Sequence, residues 1–165
     1  MSAIRQDRFE AIYQENRQDV LAFLARRCEQ PADAADLLHE VFVVAWRRIK
    51  QVPEGQAARM WLFGVAHRTL ANHRRGTRRR DRLVRLLGEV VSAAAPPPSY
   101  PHVHDALAEL SAQDRAIVTM SAWEQLTPSE IATVLGMAPG AVRVRLHRAR
   151  ERLRQQLATS ADLAG

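Results

Sequence analysis

The stretch TPSE at residues 127–130 constrains the fold of this chain more than any other. A threonine followed three residues later by a glutamate forms a capping box, and proline suits the first helical position. Gly136 follows at the distance of a short helix and permits the left-handed backbone of a tight turn. Pro139 then begins a second segment with helical periodicity. The sequence therefore predicts two helices joined by a glycine turn.

The second of these helices carries its charge on one side. Val142 and Leu146 recur at helical spacing and are expected to pack against the first helix through Ile131, Ala132 and Leu135. The outer face is basic and holds Arg143, His147, Arg148 and Arg150, with Arg145 and Arg154 beside it. Such a helix fits the DNA major groove, where its N-terminal half contacts base edges. The pattern predicts a DNA-binding helix-turn-helix, and a helical hairpin with a solvated basic face is the alternative.

Charge is distributed unevenly along the 165 residues, whose net charge is +6. Residues 1–60 are balanced, with nine cations and nine anions, and residues 101–138 carry a net charge of −4. Residues 61–100 hold eight arginines against two acids, and residues 139–157 hold six arginines against one. Two separate contacts with a polyanion fit this distribution better than a uniformly basic surface does.

Helical periodicity also dominates the rest of the chain. Three helices are expected in the first half: an apolar stripe from Phe9 to Leu24, a second helix from Pro31 to Ile49, and a third that follows the loop 51–56 and ends its regular part at Gly76. Helices are also expected at residues 105–110 and from the cap Ser111 to about Trp123, and the last helix is expected to run from Pro139 to about Leu157. No alternating strand pattern is present, which predicts an all-α class.

The stretch SAAAPPPSYP at residues 92–101 separates the two halves. Three consecutive prolines do not fit a helix interior and favour an extended path. We therefore predict two small helical domains at 1–90 and 104–160, joined by a Pro-rich flexible linker at 91–103, with the helix-turn-helix in the second domain.

Several classes of protein are disfavoured by what the sequence lacks. Cys28 is the single cysteine, so no intrachain disulfide is possible. The apolar runs are short and the N-terminus MSAIRQDRFE does not resemble a signal peptide, so neither membrane insertion nor export is expected and the protein is expected to be cytoplasmic. Nucleophile-elbow glycines, a phosphate loop and a metal-spaced His-Cys cluster are not found, so no enzyme, cofactor or metal site is predicted.

Three stretches together resemble one family: DAADLLHEVFVVAWRRI, MWLFGVAHRTLANHRR and EIATVLGMAPGAVRVRLHRARERL. They are similar to the extracytoplasmic-function (ECF) sigma factors, and the resemblance covers about residues 7–157. It implies two helical domains, conventionally regions two and four, that bind core RNA polymerase and direct it to promoters. Members are commonly held inactive by an anti-sigma factor, so the resemblance implies such a partner as well as core polymerase and promoter DNA.

The resemblance also implies roles for individual residues of the first domain. Asp36, His39 and Glu40 match the surface that grips a coiled coil of the polymerase's largest subunit, although His39 stands where Gln is usual. Phe42 and Trp46 are expected in the core, because they fall on the apolar stripe. The loop 51–58 resembles a loop that captures a flipped-out base, and an ordinary interhelical turn is the alternative. Contacts with the −10 element are implied for Gln56, Arg59, His67, Arg68, Asn72, Arg74 and Arg75.

In the second domain, the helix from Pro139 resembles the reader of the −35 element. The resemblance implies DNA contacts for Pro139, Arg143, Val144, Arg145, His147, Arg148 and Arg150. Arg145 and Arg150 are expected on phosphates, and Val144 stands where many relatives have Ser.

Two other functions compete with a sigma factor. A helix-turn-helix regulator with an N-terminal sensor domain would share the second domain but has no need of the acidic surface and basic helix within residues 33–75. An enzyme is the third possibility, and no catalytic motif supports it.

Overall fold

The computed structural model describes residues 2–86 and 101–164, and within them the chain is helical without a strand. These residues form seven α-helices: α1 (Ser2–Ala25), α2 (Pro31–Arg47), α3 (Ala57–Leu86), α4 (Pro101–Ala108), α5 (Ala112–Trp123), α6 (Pro128–Leu135) and α7 (Pro139–Ala164). A short 3-10 helix, Ile49–Gln51, follows α2. The all-α prediction is confirmed.

The chain divides into two compact units, residues 1–94 and 95–165. Helices α1 to α3 pack together in the first unit, and α4 to α7 pack together in the second. The predicted linker, 91–103, falls on residues outside the described ranges up to residue 100, and its last three residues begin α4.

The first unit has a core drawn from all three of its helices. Among its fully buried side chains are Val20, Phe23, Leu24, Leu37, Val41, Leu62 and Phe63. The rings of Phe23 and Phe63 stack at 4.9 Å between centroids, which fixes α3 against α1. Each such side chain contributes roughly 1.5–3 kcal/mol on burial. Leu21, expected with Leu24 in the apolar stripe, is 40% exposed, because α1 turns Phe23 inward in its place.

Several predicted helix ends were wrong. Helix α2 ends at Arg47 rather than Ile49, and α4 ends at Ala108 rather than at residue 110. Helix α3 runs through Gly76 to Leu86, α7 extends to Ala164 rather than Leu157, and α4 begins at Pro101 rather than at residue 105. Gly76 does not adopt a positive φ, and glycine inside a helix costs only about 1 kcal/mol relative to alanine. A single glycine therefore does not end a helix whose flanking residues favour one.

The helix-turn-helix forms as its sequence predicts. Thr127 Oγ1 accepts from the Glu130 amide at 3.2 Å, and the Glu130 side chain accepts from the Thr127 amide at 3.0 Å. Gly136 closes α6 with φ of 66°. Val142 and Leu146 of α7 are buried. The inward position near the end of α6 belongs to Val134 and not, as predicted, to Leu135, which is half-buried.

Candidate nucleic-acid interface

Helix α7 presents one buried side and one open side. Val142, Leu146 and Ala149 recur at three- and four-residue spacing and are buried within the second unit. The residues predicted to contact the −35 element are all exposed: Pro139, Arg143, Val144, Arg145, His147, Arg148 and Arg150. The buried row therefore fixes which face of α7 is turned to solvent, and that face is the predicted one.

The arginines on this open face fall into two groups. Arg145 donates to Asp114 Oδ1 at 3.0 Å, and Arg150 donates to Ser121 Oγ at 2.8 Å, so both are anchored to α5. Arg143 and Arg148 make no hydrogen bond or ion pair with any residue that the structure describes. Two guanidinium groups are thus held in place by the scaffold, and two keep all their donors available.

A shallow depression of about 280 Å³ lies along the same face. Arg143, His147 and Arg150 line it together with Pro128, which begins α6. Glu151 also lines it, paired with Arg154 one turn further along α7. The depression is open and predominantly basic, which suits a phosphate backbone better than an enclosed ligand.

On α3, two of the predicted −10 residues bond to α1 or to the turn that follows it. Arg59 Nε donates to Asp19 Oδ2 at 2.9 Å, and its guanidinium lies 4.8 Å from the centre of the Phe63 ring. Arg74 donates to the backbone carbonyl of Arg27 at 3.2 Å. These contacts flank the Phe23–Phe63 stack, so they hold α3 in register along α1.

His67 lies on the same inward-turned side and is half-buried. Burial lowers the pKa of its imidazole, and the positive charges of Arg27, Arg74 and Arg68 lower it further. The ring is therefore neutral at neutral pH, with one nitrogen free to accept a hydrogen bond.

The outward side of α3 carries the remaining predicted residues. Arg68, Asn72 and Arg75 are exposed and follow one another at i, i+4 and i+7, so they form a single stripe. Arg75 donates to Asn72 Oδ1 at 2.6 Å, which orients both side chains. Gln56 is exposed in the turn before α3, next to Gly55, whose φ is 64°.

This stripe has one further member, which was not predicted from the sequence. Arg79 lies eleven residues beyond Arg68 on the same side of α3 and is exposed. The prediction that Gly76 ends the helix hid it, because only an uninterrupted helix keeps residues 68 and 79 on one face. The run of arginines at 78–80 was the available signal.

The third group of predicted residues, those expected to bind core polymerase, lies on α2. Asp36, His39 and Glu40 are exposed and share one face through their i, i+3 and i+4 spacing. His39 also lines an apolar groove of about 440 Å³ between α1 and α2. The acidic surface and the groove are therefore continuous.

Aromatic side chains shape this groove: Phe9, Tyr13, Phe42 and Trp46. Phe42 is buried, as predicted, but Trp46 is 37% exposed, so its assignment to the core was wrong. The guanidinium of Arg5 lies 4.4 Å from the Trp46 ring centre and donates to its carbonyl at 2.9 Å. A cation–π contact of this kind explains how a tryptophan stays ordered at the surface.

The described residues also bear on metal binding and on membrane insertion. No three His, Cys, Asp or Glu side chains among them are grouped so that they could hold a metal ion. None of the helices in those ranges has the length and apolarity required to span a membrane.

Comparison with known proteins identifies the class. Residues 12–80 match the family model for Sigma-70 region 2, and residues 102–153 match the model for Sigma-70, region 4. The chain is thus an RNA polymerase sigma factor built from these two regions.

Relatives identify the subfamily. The chain is 32% identical to the ECF RNA polymerase sigma factor SigL of Mycobacterium tuberculosis, over 89% of this chain and 87% of SigL. It is 34% identical to the RNA polymerase sigma factor CarQ of Myxococcus xanthus, over 92% of this chain and 90% of CarQ. The chain belongs to the ECF sigma factor family.

Two solved structures share the fold. The sigma factor RpoE of Bartonella quintana, in complex with the anti-sigma factor NepR, aligns with a TM-score of 0.66 at 23% identity, covering 91% of this chain and 96% of RpoE. CnrH, in complex with the cytosolic domain of CnrY, aligns with a TM-score of 0.62 at 23% identity, covering 92% of this chain and 88% of CnrH.

Proposed function

We propose that this sigma factor binds core RNA polymerase through α2, holds the melted −10 element on α3 and reads the −35 element with α7. The observation that carries the proposal is the position of three exposed charged faces on three helices within the matched regions, 12–80 and 102–153. The functional domains are proposed at 1–90 and 104–160, with a linker at 91–103.

The polymerase contact is proposed for Asp36, His39 and Glu40. Two carboxylates one turn apart present a negative surface suited to basic side chains of a partner helix. Both are exposed, so the core of the first unit does not depend on them. His39 stands between them in sequence and borders the aromatic groove, where its imidazole is available to donate one hydrogen bond.

The −10 contact divides into binding and positioning. The exposed stripe Arg68, Asn72 and Arg75 combines positive charge with hydrogen-bonding groups, so it suits the phosphates and bases of a single strand. Arg59, His67 and Arg74 lie on the other side of α3. The bonds of Arg59 to Asp19 and of Arg74 to the Arg27 carbonyl favour a role in holding α3 at the correct angle. Gln56 lies in the turn proposed to receive a flipped base.

The −35 contact divides in the same way. Arg143 and Arg148 are proposed to reach base edges, since their guanidinium forks remain available for bidentate hydrogen bonds. His147 lies on the same face beside them, and Pro139 begins the helix. Arg145 and Arg150 are anchored to α5 and are proposed to contact phosphates.

The role requires no reaction by the chain itself, so we assign it no catalytic residue and no cofactor. It acts with RNA polymerase, which places it in the cytoplasm. RpoE of Bartonella quintana is bound by the anti-sigma factor NepR, and we propose that a protein of that kind controls this chain too.

Run-off transcription with purified core polymerase and a promoter library tests the proposal. Transcripts should start at defined positions downstream of a shared pair of elements. A matched pair of variants sharpens the test: Asp36→Ala with Glu40→Ala should abolish transcription, and Glu10→Ala with Glu15→Ala should not. Glu10 and Glu15 are also exposed acids of the first unit, but they lie on α1. Transcription with equal yield from both double variants would contradict the assigned polymerase surface.

A further inference from the structure

One exposed apolar side chain stands among the charged residues of α7. Val144 is 49% exposed, whereas its apolar neighbours Val142 and Leu146 are buried. A β-branched residue in a helix is less favourable than alanine, because its χ1 freedom is restricted. With half of its surface in water, Val144 recovers little of that cost through packing. Folding of the second unit therefore does not account for this valine.

The position of Val144 on α7 places it where a base edge would approach. His147 and Arg148 follow it by three and four residues, so they share its side of the helix. Gly140, four residues before it, is also exposed, and a Cβ atom built there meets no atom within 4 Å. The turn beside Val144 is consequently open on its N-terminal side and bounded by a basic side chain on its C-terminal side.

We propose that Val144 reads the methyl group of a thymine in the −35 element, and this rests on the proposed promoter-binding role of α7. The C5 methyl of thymine is the apolar group that a base pair displays in the major groove. An isopropyl side chain has no hydrogen-bonding atom, so it selects among base pairs only by apolar contact or by exclusion. Arg148 beside it supplies the polar contact to an adjacent acceptor.

Replacement of thymine by deoxyuridine tests this directly, because the change removes the methyl group and keeps the base pairing. Holoenzyme is assembled from core polymerase and the full chain, and a promoter from the library selection is synthesised with each −35 thymine replaced in turn, on either strand. With the native chain, one replacement should reduce promoter binding about fourfold, the effect of losing the burial of one methyl group. With Val144→Ser the same replacement should have no effect.

Val103→Ser is the matched control, since Val103 is 43% exposed but lies on α4. It should retain the fourfold response to deoxyuridine. Val144→Ala guards against a folding defect, because alanine is the better helix former, and it should also lose the response.

Three results would overturn the inference. In the first, holoenzyme with the native chain binds equally well whichever thymine is replaced by deoxyuridine. In the second, the loss of binding on replacement persists in Val144→Ser. In the third, Val144→Ser weakens binding equally on thymine and deoxyuridine templates, which would indicate a protein contact instead. Failure of the holoenzyme to initiate from any promoter would contradict the proposed function itself and is distinguishable from all three.

Discussion

Arg145 on α7 donates to Asp114 on α5 through Nη1 and Oδ1 at 3.0 Å, which anchors one arginine of the recognition face to the scaffold behind it. Arg143, two residues earlier on the same exposed helix, has no polar partner among the described residues. In the proposed complex with DNA, this contrast separates arginines that are oriented in advance from arginines that remain available to select among base edges.

Substitution of the free arginines is expected to change specificity. Arg143→Ala and Arg148→Ala should each reduce preference for the native −35 sequence by roughly ten- to a hundredfold, since a bidentate arginine–guanine contact contributes about 1–3 kcal/mol of discrimination. Promoter selection by holoenzyme measures the preference. Arg152 is an exposed arginine further along α7, and Arg152→Ala is the control that should keep the native −35 preference. Native −35 preference in both test variants would mean that α7 is turned differently on DNA.

Substitution of the anchored arginine is expected to change affinity without changing specificity. Arg145→Ala should weaken binding to all promoters alike and lower the slope of log affinity against log salt by about one, the effect of one lost phosphate contact. Titration at a series of salt concentrations on two promoters measures both quantities. If the loss were confined to one −35 sequence, Arg145 would be a base reader and its pairing with Asp114 would not persist on DNA.

Features that depend on neighbouring residues could be predicted from the sequence, and contacts between distant residues could not. The capping box and Gly136 act within a few residues, so the turn was readable from sequence. The partners of Arg145, Arg59 and Arg74 lie at least 31 residues away in sequence, and no local pattern announces such contacts. Spacing and resemblance therefore predicted which residues belong to the candidate sites. The division into anchored and free arginines could be seen only in the structure.

Errors at helix ends have a related cause. Gly136 ends its helix and Gly76 does not, although both follow a helical pattern. The difference is that the residues after Gly136 include Pro139, which begins a new helix, whereas arginines that favour helix follow Gly76. A glycine alone does not decide between the two outcomes.

The capping box is expected to stabilise the second unit measurably. Thr127→Ala removes the oxygen that accepts from the Glu130 amide and should lower the free energy of unfolding by about 1 kcal/mol. Chemical denaturation followed by circular dichroism measures it. Thr133→Ala makes the same replacement on the exposed side of α6 and should be neutral or slightly stabilising, because alanine favours helix. Equal effects of the two changes would show that the cap contributes nothing.

His67 is expected to make stability depend on pH. Its folded-state pKa is lowered, mainly by burial and then by nearby arginines, so the unfolded chain binds a proton more readily. Stability should therefore fall as pH drops through the unfolded value of about 6.5, and remain unaffected by this group well above it. Denaturation at pH 8 and pH 5.5 measures the change.

His67→Gln should reduce that pH dependence, because it removes the group whose pKa differs between the folded and unfolded chain. A native pH profile in His67→Gln would show that other groups cause the loss of stability.

The central claim is that the chain reads promoters only as part of a polymerase. Its two basic helices, α3 and α7, belong to separate compact units, so each alone is expected to provide only a weak contact with DNA. Core polymerase should fix both and convert them into one bivalent contact, which strengthens binding by roughly a hundred- to ten-thousandfold. The decisive measurement is the affinity of the purified chain for a selected promoter, with and without core polymerase, against a scrambled duplex. Weak, sequence-indifferent binding alone and tight, specific binding with core polymerase is the predicted result, and tight specific binding by the chain alone would contradict it.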